Sequence, residues 1–406
     1  MFSVIYSNRL ENLLDALLAR LSKGQHDPFA RNQVVIPGSA LRRRIELSMA
    51  DRNGICASID FNYLAPWLWR QIGRIIETPQ TSPYEPPALT WRCFAALGES
   101  WTKQHERLAR YLEGADARKR FELAERLAQL FGHYLSYRPA WLERWADGKT
   151  AFIGTKTNKH PDEAWQAELW RQLHNKNGTP SSPFMQFLRS AAQMDDTRLA
   201  AAGLPPSVHI FGLNALPPLH LETLRALARV INVHLYILNP CREYWFDIVD
   251  MRRLSWLARR QRDLFMDSGN KLLAAWGKQT QAHIESLYEG EHPTLEKTAF
   301  TPNPARHLLA QLQNAILELR ELEAGSLRLD NNDRSIEIHL CHSRTRELEV
   351  LHDRLLSIFK GPNPPRPDEI IVLTPELAAC APLIEAVFGA APPERRIPWR
   401  ITGLGT

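Results

Sequence analysis

Hydrophobic and polar positions follow two rhythms along the chain. Residues 2–6 (Phe-Ser-Val-Ile-Tyr) are short and β-prone, and the turn Ser7-Asn8-Arg9 follows them. Leu10, Leu13, Leu14, Leu17, Leu18 and Leu21 then recur at helical spacing. The apolar run 33–36 stops at Pro37-Gly38, where Ser39 is placed to cap a helix carrying Leu41, Ile45 and Met49. Strands separated by a helix favour parallel pairing with right-handed crossovers, so the opening predicts an α/β plan.

From about residue 80 to 199 the strand signal disappears. Residues 79–87 read as a linker, and the segments after them are helical and rich in Trp and Leu. The clearest helix is predicted over 117–137, with Leu123, Leu127, Leu130, Phe131 and Tyr134 on one stripe and Tyr137-Arg138-Pro139 as its stop. Residues 175–183 read as a loop. The α/β rhythm returns with a strand at 207–211 closed by Gly212, a helix at 219–230, and a strand at 233–238 stopped by Asn239-Pro240. Residues 242–304 are aromatic and charged and read as helices with loops. A last unit places strands at 336–340, 369–373 and 397–401, with helices at 346–359 and near 382–388. It halts one element short of a closed sheet, which reads as a truncated chain.

Composition narrows the class. At 406 residues the chain has room for two to three domains and a sizeable core. Fifty Lys+Arg against forty-five Asp+Glu leave only +5, so any nucleic-acid contact depends on local arrangement. Five cysteines without a C-x-x-C pair support neither a disulfide framework nor a zinc ribbon. The amino terminus has no basic segment leading into an apolar one, and the apolar region 370–391 is broken by Pro375, Glu376, Pro382 and Glu385. The expectation is a cytoplasmic protein of a reducing compartment, without membrane contact.

Catalytic motifs are weak. A phosphate-binding loop needs glycines that turn backbone N–H groups toward phosphate, a lysine and a magnesium-binding hydroxyl. Gly148-Lys149-Thr150 has Glu143 where the first glycine belongs and follows a helical stretch, so it reads as a surface loop. The slot after the first strand offers Ser7-Asn8-Arg9, with Arg9 at most a point contact for phosphate. The slot after strand 207–211 offers Gly212-Leu213-Asn214-Ala215, without a magnesium-binding carboxylate. Both halves of an ATP site are missing. His220-Leu221-Glu222 with Pro240-Cys241 lacks the second cysteine of a zinc deaminase. Cys341 and His342 are neighbours on an extended segment and point to opposite faces. Asn177-Gly178-Thr179 is a chance sequon.

Twelve tryptophans and the run Arg42-Arg43-Arg44 point elsewhere, because aromatic faces stack on unpaired bases while arginines track phosphates. Arg43 and Arg44 with Tyr63, Trp67 and Trp69 are the candidates; the bland alternative packs both tryptophans in a core.

Several blocks resemble one family in order. They are YSNRLENLLDAL (6–17), VVIPGSALRRRIELSMADRNGICASIDFNYLAPWLW (34–69), YLSYRPAWLERW (134–145), HIFGLNALPPLHLETLRAL (209–227), INVHLYILNPCREYWFDI (231–248), LLAAWGK (272–278), IEIHLCHSRTRELEVLHDRLL (336–356) and FGAAPPERRIPWRI (388–401). They are similar to the N-terminal region of the RecC family, the gamma chain of exodeoxyribonuclease V. The resemblance implies a RecA-like parallel sheet of an inactivated superfamily 1 helicase with a largely helical insertion, plus the start of a second RecA-like domain. It divides the chain into domain 1A (1–78 and 200–330), helical subdomain 1B (79–199) and the beginning of domain 2A (331–406). It also implies a non-catalytic subunit, inactive as ATPase and nuclease. Such a subunit has no cofactor of its own, with ATP and magnesium used by RecB-like and RecD-like partners. The family channels the 3′-ending single strand of forked DNA and recognises Chi, which switches the complex from degradation to RecA loading.

Chi-contact positions carry over residue by residue. Trp69, Leu130 and Arg138 keep the family residue, and Ser39 stands for a similar hydroxyl. Pro37, Arg43, Tyr63, Gln129, Gly132 and His133 fall on contact positions but differ in type, and no basic residue appears near Ser181. The resemblance thus implies strand binding with an altered base code, since one bidentate base contact is worth about 1–3 kcal/mol of discrimination.

Overall fold

The structure is a computed structural model and describes residues 1–22, 31–80, 82–151, 160–175, 182–249, 269–289, 294–295 and 299–403. One parallel sheet runs in the order β3-β2-β4-β5-β1-β6. Its strands are β1 (Phe2–Ser7), β2 (Asn32–Val35), β3 (Ile59–Asn62), β4 (Ser207–Phe211), β5 (Asn232–Leu238) and β6 (Thr294–Leu295). Parallel strands need long crossovers, which here are helical. They comprise α1 (Leu10–Leu21), α2 (Ser39–Asn53), α3 (Leu64–Ile72), α4 (Pro86–Ala96), α5 (Glu106–Leu112), α6 (Ala117–Tyr137), α7 (Pro139–Ala146), α8 (Glu163–Asn175), α9 (Pro183–Gln193), α10 (Asp196–Ala200) and α11 (Pro218–Leu227).

Alternation along each strand feeds two cores. On one face Leu13 and Leu17 of α1 and Ile45 of α2 pack with Ile5, Phe211 and Tyr236. On the other, Trp67 and Leu68 of α3, Phe187 of α9 and Leu224 of α11 pack with Val35, Val208 and Leu235. Because both faces are covered, β5 is buried from Val233 to Ile237, His234 included. The helical insertion has a core of its own around Leu89, Cys93, Leu127, Phe131, Trp145 and Trp170.

Several expectations need correction. The predicted cap Ser39 is the first helical residue of α2: the N-cap is Gly38, with no side-chain cap bond. The Pro37-Gly38 turn ends one residue earlier than the capping rule supposes. Strand β3 went unread because it is a half-buried edge strand paired on one side only, with a weak apolar pattern. Within 242–304 the structure has helices Lys271–Trp276 and Lys278–Tyr288 and the short β6. Residues 250–268 lie outside the described residues.

The chain divides into two compact units, Met1–Pro304 with Gln311–Leu327, and Ala305–Ala310 with Arg328–Thr406. In the second, Ser343 caps the helix Arg344–Phe359 by accepting from the Arg346 N–H at 3.2 Å. The helix expected near 382–388 starts earlier, as Leu377–Ile384, and changes at Glu385–Gly389 to a π-turn. The strands expected at 336–340, 369–373 and 397–401 are not strands here. Strand identity requires a ladder on at least one edge, and these segments pair with none among the described residues. Ile338, Leu340 and Leu373 are accordingly exposed.

Candidate nucleic-acid interface

In an open parallel sheet, ligands sit beyond the carboxyl ends of strands whose connections leave toward opposite faces. Two such crevices occur here. Strand β1 leads to α1 on one face, while β5 leads to Trp245 and Ile248 on the other; β2 and β4 diverge in the same way through α2 and α11.

Beside β1, on its β6 side, lies the segment 299–302. Ser7 Oγ donates to the Ala299 carbonyl at 2.6 Å, and the Ala299 N–H continues the ladder to the Tyr6 carbonyl at 3.2 Å. Asn12 Nδ2 reaches Ser7 Oγ (3.1 Å), the Ala299 carbonyl (2.7 Å) and Thr301 Oγ1 (3.0 Å). Asn8 and Thr301 exchange two hydrogen bonds, each of 2.9 Å. Arg9, the one cation of that loop, donates to the Pro302 carbonyl at 3.1 Å. The position where a nucleotide phosphate would enter is therefore stitched shut by backbone. Between β2 and β4, Gly212 has φ +71° and the Leu41 side chain packs so closely that a Cβ would lie 2.8 Å from its Cδ1.

The other weak motifs settle as surface or packing features. Lys149 pairs with Asp147 at 3.2 Å and the Thr150 carbonyl accepts from Arg144, so 148–150 is a loop after α7. Burial pushes His220 down to about 4, and its Nδ1 has no partner. No cluster of three or more metal-binding side chains occurs among the described residues. The sequon and Ser181 lie outside them.

The strand-binding candidates fall into separate groups. Ser39 and Arg43 of α2 and Tyr63, the N-cap of α3, are exposed at adjoining strand ends, which the Ile36 N–H joins by donating to the Asn62 carbonyl at 2.9 Å. Pro37 is exposed beside them. Arg42 lies 5.4 Å from the Phe61 ring and pairs with Glu46 at 2.8 Å, whereas Arg43 makes no hydrogen bond or ion pair among the described residues.

The two tryptophans of α3 differ. Trp67 is fully buried and its Nε1 donates to Gln33 Oε1 at 3.3 Å, so for Trp67 the core-packing alternative holds and no base reaches it. Residues two apart on a helix point about 200° apart, which leaves Trp69 half-buried at the margin. There its Nε1 donates to the Pro79 carbonyl at 3.3 Å and its ring lies 5.9 Å from Phe184.

The remaining group lies on the insertion. Gln129 and His133 are exposed on α6, Leu130 and Gly132 are partly buried, and Arg138 is exposed where α6 meets α7. Sequence reasoning passed over Tyr137 and Trp141. The signal was available: Gln129, His133 and Tyr137 follow at i, i+4 on one helical face. Tyr137 is exposed, 6.5 Å from the His133 ring. No hydrogen bond, ion pair or ring contact links the α2–α3 group to this one among the described residues.

Comparison with known proteins agrees with the sequence blocks. Residues 2–319 match the family model described as RecC, N-terminal domain. The chain is 32% identical over 450 residues to the RecBCD enzyme subunit RecC of Escherichia coli, covering 99% of this chain and 39% of that protein. It is 30% identical to the subunit of the same name from Haemophilus influenzae, covering 96% and 39%, and 28% identical to that from Mycolicibacterium smegmatis, covering 94% and 34%. This chain thus spans less than two fifths of the length of these relatives. The family match and the similarity to these relatives place the chain in the RecC N-terminal domain family.

Proposed function

We propose that this chain is the helicase-like N-terminal part of a RecC subunit of a RecBCD complex, working without a nucleotide of its own. In this reading 1–78 and 200–330 form RecA-like domain 1A, 79–199 form subdomain 1B and 331–406 begin domain 2A. RecB-like and RecD-like partners supply ATP- and magnesium-driven unwinding. This chain scaffolds them, guides the 3′-ending single strand and contributes to reading Chi in double-strand break repair.

One observation carries the reading: the post-β1 position is filled by 299–302, held through Ser7, Asn8, Arg9 and Asn12. The unpaired Arg43 and Arg138 and the exposed Tyr63 and Tyr137 support strand contact, because phosphate contacts position a strand while stacked or hydrogen-bonded bases specify it. The packed state of Trp69 favours a second reading, assembly alone, for α3.

The test is to reconstitute the full-length complex with Arg138→Ala and with Arg43→Ala, and to map where degradation attenuates. Guiding predicts weaker single-strand capture and a shifted or lost Chi response. Survival of both would leave assembly as the role.

A further inference from the structure

The elbow between α6 and α7 holds an arrangement that the family positions do not include. Pro139 disfavours the helical region for the residue before it, and Arg138 accordingly leaves the helix, with φ −140° and ψ 44°. Arg138 is exposed, and its guanidinium makes no ion pair among the described residues. Two contacts orient it. Nη1 donates to the Tyr137 carbonyl at 2.8 Å, and the guanidinium carbon lies 5.6 Å from the centre of the Trp141 ring. Trp141 is in turn held by Tyr134 (5.6 Å) and by the fully buried Trp145 (6.4 Å). The nearby carboxylate Glu143 is engaged by Arg189, so it does not compete for Arg138.

We infer that Trp141 is a positioning residue that holds the Arg138 guanidinium as a stacking plane for an unpaired base of a single polynucleotide strand. Tyr137 is a neighbouring ring for the same strand. This rests on the strand-guiding reading above and deepens it. A planar guanidinium has two faces; with one side toward an indole 5.6 Å away, the other is available to a base, and bases stack on arginine planes as they do on aromatic rings. A lysine at the same place would supply charge but no plane. The arrangement therefore separates a stacking role from a phosphate contact.

The experiment uses the full-length chain assembled with its partner subunits and a single-stranded oligonucleotide carrying 2-aminopurine, whose fluorescence is quenched on stacking. Arg138→Lys is expected to keep the salt dependence of binding, to weaken binding about tenfold, a stacking contact being worth about that much, and to lose the quench. Trp141→Leu gives the same result, and Trp141→Phe restores most of both, with melting temperatures confirming that all variants fold. If Arg138→Ala weakens binding but Arg138→Lys and Trp141→Leu behave as the unsubstituted protein, Arg138 is a phosphate contact and the inference is overturned while strand guiding stands. Binding indifferent even to Arg138→Ala overturns the inference together with the role of the elbow in guiding the strand.

Discussion

Asn12 is the hub of the seam that joins the loop after β1 to the segment 299–302, its amide serving Ser7, Ala299 and Thr301. Asn12→Ala removes those donors and is expected to lower unfolding free energy by about 1–3 kcal/mol, read as a reduced urea midpoint, without creating nucleotide affinity. A second residue-scale prediction concerns histidines buried without charge. Burial pushes His209 down to about 3, with the neighbouring His234 charge and Arg20 adding to it, and pushes His234 and His283 down to about 4. His209 stacks on His234 at 5.1 Å and hydrogen-bonds the Tyr236 hydroxyl at 3.1 Å. Below pH about 6.5 the unfolded chain takes up protons that the native state refuses, so stability falls as pH drops from there toward 4. His209 alone contributes a slope of about 1.4 kcal/mol per pH unit. Denaturation midpoints between pH 7 and 4.5 check the direction. The missing phosphate cradle was legible in Ser7-Asn8-Arg9, because glycine and lysine are chemically obligatory there. The segment bonded to that loop was not, since 299–302 lie nearly the whole first unit away in sequence.

At the scale of elements, α6 followed its periodicity closely, with the stripe Leu123, Leu127, Leu130, Phe131 and Tyr134 facing the insertion core or its edge and Pro139 ending it. The same rule could not rank Trp67 against Trp69, since their faces are decided by what α9 and β2 bring to α3. Trp69→Ala is expected to destabilise by about 1–3 kcal/mol, below a fully buried aromatic truncation, measured by thermal unfolding. Trp69→Phe keeps most of the packing against Phe184 and is the variant that separates stability from strand capture. The β4–β5 pairing supplies another prediction. Gly212→Ala places a side chain at φ +71° against Leu41, and a melting-temperature loss of several degrees is expected. Strands 336–340, 369–373 and 397–401 were read from β-prone runs, but a run becomes a strand only when another backbone pairs with it.

For the whole molecule, +5 on 406 residues is too little charge for nonspecific capture of polyanions. On the strand-guiding proposal, affinity for a strand depends on locally placed cations, Arg43 and Arg138 among them, and is expected to fall with salt by only the small power that a few phosphate contacts impose. The α/β plan and the helical insertion were visible in the sequence as a switch of hydrophobic period. The strand order, with β1 between β5 and β6, was not, because pairing between distant segments leaves no local pattern. The measurement that bears most directly on the proposal that the post-β1 position is occupied by the chain's own segment rather than by a nucleotide is calorimetric titration of this protein with ATP and magnesium. No saturable heat is expected up to millimolar nucleotide. Micromolar, magnesium-dependent binding that is lost on substituting Asn8 or Arg9 would contradict it.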